Sequence, residues 1–406
     1  MPLRAKVATS VSKTAAALSR AAGRGDGSVI GGWIGLKIDP ELLRNLAAGR
    51  AIALISGTNG KTTTTRLTTS ALEVLGPVAS NSFGANMPTG HTSALAKAGS
   101  TPYAVLEVDE HYLARVIDET RPRVVALLNL SRDQLDRAKE VAMMAQLWRT
   151  ALAGHHEVHV VANADDPLVV WAASGRERVT WFSAGQRWTD DSWVCPESGD
   201  PIERADGDWW CAGCWLRRPR PHWQVEDDGV VDPRGDWHQV KLQLPGRVNL
   251  GNAATALAVA AEFGVHPFKA LPQLGKVASV AGRYAQVERD GRHIRLLLAK
   301  NPASWLEAFD MAEQAPTLLS VNARDPDGLD TSWLYDVDFA PLRNRPVLIT
   351  GDRAYDLAVR LEVNDVPFRH VRTFGEAMGA VPPGRLEVIA NYTAFQDIRA
   401  ELDRVN

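Results

Sequence analysis

The segment Gly57-Thr58-Asn59-Gly60-Lys61-Thr62-Thr63 lies between a short apolar run, Ala51–Ser56, and a stretch where Leu67, Ala71 and Leu75 recur every four residues. This spacing predicts strand, glycine-bearing loop, helix. A polyphosphate needs that arrangement: glycines let the backbone come close, and the N–H groups that open a helix attract negative charge. Lys61 is placed to neutralise β- and γ-phosphate charge, and the Thr62 hydroxyl to hold Mg2+. Gly57, Thr58, Asn59, Gly60, Lys61, Thr62 and Thr63 are therefore the expected ATP-binding set. The longer form of the motif has glycine where this chain has Ile55. Glu107 stands near the end of another apolar run, Tyr103–Val108. A carboxylate there can hold a hard cation directly or through water; the plainer reading is a solvated strand end.

These residues need a scaffold. Strand-like runs at Tyr103–Val108, Val124–Asn129 and Val158–Asn163 alternate with helical segments, which predicts a mostly parallel, doubly wound α/β sheet. Upstream, Gly31-Gly32 reads as a break and Pro40 opens a helical stretch, Glu41–Ala48. Periodicity fails between Thr189 and Asp236, a segment rich in Trp, Pro, Gly and Asp, which reads as an insertion. A third block starts near Asp290, with strands at His293–Leu298, Val347–Thr350 and Leu386–Ala390 and a helix near Arg353–Leu361. The expected organisation is an N-terminal segment over 1–40, an ATP-binding domain over 41–288 carrying an insertion at 190–225, and a smaller α/β Rossmann-like domain over 289–406.

The chain has 406 residues, 45% apolar and 23% charged, with a net charge of -3. That balance argues against a dedicated nucleic-acid binder, which carries a basic excess. No apolar run approaches the roughly 20 residues that span a bilayer. Near the N-terminus Leu3, Val7, Val11 and Leu18 recur at near-helical spacing among Arg4, Lys6, Lys13, Arg20 and Arg24. With no continuous apolar core this is not a secretory signal. It reads as a helix on the domain surface, or as an amphipathic helix touching anionic lipid. The three cysteines, Cys195, Cys211 and Cys214, are clustered and odd in number. They suggest a metal site or its remnant and not a disulfide framework, with the cytoplasm as the expected compartment.

The loop sequence Gly57–Thr63 resembles that of the Mur ligase family, and other segments agree with it in order. Ser80-Asn81-Ser82-Phe83-Gly84-Ala85-Asn86 is similar to the family's Asn-x-x-Gly-Ala-Asn segment, which implies substrate contacts for Asn81, Gly84 and Asn86. Glu107 matches the family's Mg2+-serving acid. Asn163-Ala164-Asp165-Asp166 resembles its strand-end Asn-x-Asp-Asp, and Gly246–Ala253 its helix start, in which Asn252 would face adenine. Gly282-Arg283 resembles the pair that contacts ATP. Asn301-Pro302-Ala303 is similar to a turn facing the substrate cleft; a plain turn is the alternative. In Asn129–Arg137, Gln134 replaces the metal-binding histidine of ordinary members. That stretch, with Leu36–Pro40, Gly351–Asp356 and Asp327–Asp336, resembles the MurT branch over nearly the whole chain.

The resemblance implies an enzyme that uses ATP and Mg2+ to activate the α-carboxylate of D-glutamate in the lipid II stem peptide as an acyl phosphate. Ammonia then gives D-isoglutamine at the inner face of the plasma membrane. It further implies a GatD-type glutaminase as heterodimer partner on the C-terminal domain, with Asp330, Asp327 or Asp336 completing the partner's catalytic site. Each of these aspartates is equally readable as a turn or cap residue. MurT chains carry a zinc ribbon with two Cys-x-x-Cys pairs, and here Ser198 stands at the fourth position. Zn2+ held by three thiolates with water or His222, and an unloaded ribbon held by Trp193, Trp209, Trp210 and Trp215, are both open. The alternative function is a conventional Mur-type or folylpolyglutamate-type amino-acid ligase, against which Gln134 speaks.

Overall fold

The computed structural model describes residues 1–22, 27–81, 84–132, 138–280, 282–312 and 314–403. Two compact units result: Met1–Ser131 with Lys139–Leu244 and Val248–Ala278, and Arg132–Ala138 with Pro245–Arg247 and Ser279–Asn406. The Asp133–Arg137 stretch that contains Gln134, with Ser82 and Phe83, lies outside the described residues.

The first unit is built on strands β1 (Ala51–Ser56), β2 (Val78–Ser80), β3 (Tyr103–Glu107), β4 (Val124–Leu127), β5 (His159–Asn163) and β6 (Val179–Ser183). After them come a separate hairpin, β7 (Ile202–Ala205) and β8 (Asp208–Cys211), then β9 (Trp223–Glu226), β10 (Gly229–Val231) and β11 (Trp237–Gln239). The sheet order is β11-β10-β9-β6-β5-β4-β1-β3-β2. Strands β1 to β6 are parallel, β9 joins β6 in parallel, and β9 to β11 form an antiparallel meander. The inserted segment is thus only partly a separate module: its end extends the main sheet.

Strand β1 is buried on both faces, as its unbroken apolar run requires. Ile52, Leu54 and Ile55 are fully covered, each burial contributing about 2 kcal/mol. With β3 and β2 on one side and β4, β5 and β6 on the other, β1 marks where the connections diverge, and ligands of such sheets bind beyond the strands' carboxyl ends there.

Five helices flank the N-terminal surface and the loop after β1: α1 (Leu3–Ala21), α2 (Ser28–Ile38), α3 (Leu42–Ala47), α4 (Lys61–Leu72) and α5 (Pro88–Ala98). Gly31 and Gly32 lie inside α2 and do not break it. Glycine's helix penalty, about 1 kcal/mol each, is outweighed by the close packing that only a hydrogen side chain permits. Helix α4 reads Lys-Thr-Thr-Thr-Thr-Arg-Leu-Thr-Thr-Ser-Ala-Leu, a poor helix former by propensity; nearly all of it is buried, and packing decides. It ends at Leu72, leaving Leu75 outside the helix.

The second unit carries β12 (Tyr284–Arg289), β13 (Arg292–Leu298), β14 (Thr317–Ser320), β15 (Val347–Thr350), β16 (Phe368–His370) and β17 (Gly384–Ala390), in the order β12-β13-β17-β14-β15-β16. All neighbours are parallel except β12, which runs antiparallel to β13. Tyr284–Arg289 therefore belongs to this sheet, so the unit starts before residue 289. Inside the sheet Arg295 Nε donates to Glu387 Oε2 at 2.7 Å, a buried ion pair between adjacent strands.

Candidate functional site

The loop after β1 owes its path to glycine. Gly57 has φ +143°, and a Cβ there would lie 2.8 Å from Leu128 Cβ; Gly60 has φ +85° and caps α4. Position 55 is still strand, where Ile55 is buried opposite Glu107, so isoleucine suits the place where the longer motif has glycine. The loop is fastened to the chain leaving β4. Thr58 N donates to Asn129 O at 2.9 Å, Asn59 N to Asn129 Oδ1 at 2.8 Å, and Asn129 Nδ2 to Asn59 O at 3.0 Å. Ser131 N donates to Thr58 Oγ1 at 3.0 Å.

That clamp is itself held from β5. Leu130 N donates to Asp166 Oδ2 at 2.9 Å, and Asp166 Oδ1 caps the helix Pro167–Ala173 through Leu168 N. Burial pushes the Asp166 carboxyl up to about 6, against the lowering effect of these N–H groups. Neighbouring Asp165 accepts from Ala184 N, Gly185 N and Arg218 Nε, tying the inserted segment to the sheet.

Lys61 Nζ donates to Gly57 O, to Thr58 O and, at 3.1 Å, to Glu110 Oε2. The Thr62 Oγ1 is buried and has no hydrogen-bond partner. Such an orphan hydroxyl in the first turn after a phosphate-type loop fits a Mg2+ ligand. Thr63 follows it in α4. Asn252 adjoins the loop: its Oδ1 accepts from Thr64 Oγ1 at 3.1 Å and lies 2.8 Å from where a Gly60 Cβ would be.

Glu107 is fully buried at the carboxyl end of β3. Its main chain is gripped by Asn81, which accepts from Glu107 N at 2.8 Å and donates to Glu107 O at 2.8 Å and Ala85 O at 2.9 Å. Asn81 is buried, and its carboxamide positions Glu107 and the 84–86 turn. Gly84, with φ +79°, and Asn86, whose carbonyl accepts from Asp109 N, form that turn. His91 Nε2 lies 2.7 Å from Glu107 O. Burial depresses this histidine to about 4, so it is neutral at pH 7 and donates to the carbonyl.

Sequence reasoning missed Glu110, His91 and the clamping role of Asn129. The Asp109-Glu110-His111 run after β3 was a visible signal for Glu110; His91, inside a Gly-His-Thr-Ser helix start, offered none.

Cys195, Cys211 and Cys214 bring their sulfurs within 4.8 Å of one another. Ser198 Oγ lies 3.2 Å from Cys211 Sγ, at the fourth corner. Gly213 N and Leu216 N point at the sulfurs of Cys211 and Cys214. Burial raises the Cys211 thiol, but the Ser198 hydroxyl and Gly213 N–H outweigh it and bring it down to about 7. Three such sulfurs suit zinc. His222 is not among the residues of this cluster, and its Nδ1 accepts from Trp181 N at 2.9 Å.

The second unit holds the remaining expected residues. Arg283, half-buried, precedes β12. Asn301 is fully buried and caps the helix Pro302–Met311 through Ser304 N at 3.0 Å, as part of a capping box. Asp327 accepts from Thr393 N at 2.8 Å, and Asp336 ends the short helix Ser332–Asp336. Asp330 is exposed; Ser332 donates to its carboxylate and holds it below the usual range.

The model of the Mur ligase middle domain matches residues 55–260, and that of the MurT ligase C-terminal domain residues 298–395. The chain belongs to the Mur ligase family and is a C–N bond-forming ligase. Its particular kin are the MurT subunits. It is 28% identical to "Lipid II isoglutaminyl synthase (glutamine-hydrolyzing) subunit MurT" of Staphylococcus aureus (strain COL) over 99% of this chain and 98% of that protein. The subunit of the same name from Streptococcus pneumoniae (strain ATCC BAA-255 / R6) is 29% identical over 84% and 83%. Among solved structures, a pseudomurein peptide ligase type C from Methanothermus fervidus shares the fold, with a TM-score of 0.70 at 18% identity over 90% of this chain and 81% of that one.

Proposed function

We propose that this chain is the synthetase subunit of a two-subunit, ATP-dependent amidase of lipid II. The reading is carried by the orphan Thr62 hydroxyl and buried Glu107, set beside a lysine-bearing phosphate loop in a chain that also carries the MurT C-terminal domain. A carboxylate is a poor electrophile until one oxygen becomes a leaving group. The D-glutamate α-carboxylate attacks the γ-phosphorus of ATP and ADP departs, leaving an acyl phosphate. Ammonia then attacks the acyl carbon, phosphate departs, and the nitrogen loses a proton to give D-isoglutamine.

Within this scheme the loop N–H groups and Lys61 bind the phosphates, and transfer of the lysine from Glu110 to the nucleotide frees its charge for the γ-phosphoryl group. Thr62 and Glu107 would hold Mg2+, which supplies further neutralisation of phosphate charge. Asn252 and Arg283 are assigned to the nucleotide, and Gly84 and Asn86 to the stem peptide. The thiols of Cys195, Cys211 and Cys214 would hold Zn2+ as a structural ion, with Ser198 or water fourth.

Ammonia comes from a GatD-type glutaminase. A docking surface for such a partner is supported by Leu329, Tyr335, Tyr355, Val359 and Val363, all exposed. Tyr355, Val359 and Val363 line one stripe of the helix Ala354–Val363, and the Arg360 guanidinium stands 4.9 Å over the Tyr335 ring. Exposed Asp330 is the aspartate best placed to orient a partner's histidine. The test is co-expression with the glutaminase, then mass spectrometry of lipid II after incubation with ATP and glutamine. The mass change of acid to amide is expected, and Lys61→Ala should abolish it while leaving the complex intact. Dependence on a free amino acid in place of glutamine would overturn the reading.

A further inference from the structure

The two N-terminal helices pack mainly through small residues, although Leu36 and Ile38 of α2 also rest against the core. A surface helix of a globular domain buries its large apolar side chains, yet α1 buries Ala5, Ala8, Ser12, Ala16 and Ser19, and α2 buries Gly31, Gly32 and Gly35. The backbones meet at glycine distance: a Cβ on Gly31 would lie 2.8 Å from Ser12 O, and one on Gly32 1.8 Å from Thr89 O of α5. Small residues inward and large apolar residues outward is how helices pack within lipid. Leu3 (79% exposed), Val7, Val11 and Leu18 (65%) face outward on α1, as do Val29, Ile30 and Trp33 on α2. At 3.6 residues per turn, Leu3, Val7, Val11 and Leu18 fall within an arc of about 80°.

Charge identifies what covers this face. Residues 1–38 hold Arg4, Lys6, Lys13, Arg20, Arg24 and Lys37 against the single acid Asp26, in a chain whose net charge is -3. Lys6, Lys13 and Arg20 recur every seven residues along one side of the apolar stripe, and Lys37 Nζ lies 4.2 Å over the Trp33 ring. A second copy would set basic against basic. An anionic bilayer surface takes both the cations and the apolar side chains. No helix among the described residues is long and apolar enough to cross a membrane, so the contact is interfacial. Moreover, α2 sits on α5 at Thr89, two residues before His91, whose ring meets the Glu107 carbonyl.

From these observations we infer that the outer face of α1 and α2 docks the protein on anionic phospholipid, holding the Glu107 end of the first unit near the membrane. The inference rests on the reading that the substrate is lipid-linked. Full-length protein is sedimented with vesicles of phosphatidylglycerol and phosphatidylcholine in equal parts, and with phosphatidylcholine alone. Binding to the anionic vesicles only is expected, weakening as salt rises. Lys6→Glu/Lys13→Glu and Leu3→Ser/Val7→Ser/Trp33→Ser should each lower partitioning about tenfold or more. Both variants change exposed residues and should keep the melting temperature and the amidation of a soluble, lipid-free muropeptide with ammonium as nitrogen source.

Wild type that ignores anionic vesicles, variants that bind like wild type, or a face buried in a homodimer or by an acidic protein partner would each overturn the inference. Vesicle binding without amidation of any muropeptide sinks the proposed function and leaves the docking face standing; amidation without vesicle binding does the reverse.

Discussion

Substituting Asn81 with alanine separates two tasks that its sequence context confuses. If Asn81 touches the stem peptide, its loss raises the KM for that substrate. The structure instead spends the whole carboxamide on main chain: two bonds of 2.8 Å to Glu107 and one of 2.9 Å to Ala85. In Asn81→Ala, Glu107 O keeps His91 Nε2, and the Ala85 carbonyl is half-buried and within reach of water. The Glu107 N–H, in a residue with no exposed surface, would lose its partner. An orphaned buried N–H costs about 1–3 kcal/mol, and the lost carboxamide bonds add about 1 kcal/mol. A total near 2–4 kcal/mol exceeds what a strand end tolerates without shifting, and Glu107 is what shifts.

Because about 1.4 kcal/mol is tenfold in an equilibrium constant, transmission of even half that total raises the Mg2+ concentration for half-maximal rate about tenfold. The assay is the initial rate of ATP-dependent amidation with Mg2+ and muropeptide varied separately, with a thermal melt alongside. A Mg2+ requirement raised about tenfold or more, with muropeptide KM changed less than about threefold, is expected. A large rise in muropeptide KM at unchanged Mg2+ dependence would refute the positioning argument.

Three further outcomes are expected of neighbouring residues. Thr62→Val removes a buried hydroxyl without a partner, so the melting temperature should hold or rise while the amidation rate falls about a hundredfold. Asp330→Asn should cut glutamine-dependent amidation of the two-subunit enzyme at least about a hundredfold and leave ammonium-driven amidation intact; equal loss of both would remove Asp330 from the partner's site. Asp166 titrates near 6 in the folded chain. Between the ordinary carboxylate value and about 6 the folded state holds a proton the unfolded state lacks, so this group's contribution to stability declines as pH rises through that window and is level above it. Asp166→Asn should erase that slope in urea unfolding measured at about pH 5 and about pH 7, and an unchanged slope would show that Asp166 does not titrate there.

The fold was legible where one physical cause dominates. Parallel strands buried on both faces must be unbroken apolar runs, and Ala51–Ser56 and Val347–Thr350 have the boundaries their sequences suggest. Legibility failed where packing overrides local preference. Gly31-Gly32 reads as a break by propensity, but α2 needs glycine there to reach Thr89. Strands β9 and β10 hide in the segment without periodicity, and β11 follows directly after it, because they are three or four residues each, too short to show a period.

The site divides along a similar line. Residues whose chemistry acts through the backbone or a single atom were visible, because the loop's glycines, its lysine and the hydroxyl after it have few other reasons to stand at that spacing. Residues that act by holding others were visible only as parts of motifs, without their holding role. Asn129, Asn81 and Asp166 are each polar, buried or nearly so, and bonded to main-chain N–H or C=O of a neighbouring strand end or loop. Nothing in a linear pattern separates such a residue from one that touches substrate, since both need a short polar side chain at the carboxyl end of a strand. What separates them is where the side chain's hydrogen bonds go, and a buried carboxamide whose donors and acceptor are already taken has none left for a ligand. By that criterion Asn81, whose carboxamide holds Glu107 and Ala85, reads as a positioning residue, and Glu110, whose carboxylate accepts from Lys61 Nζ, as a neighbour of the loop's lysine.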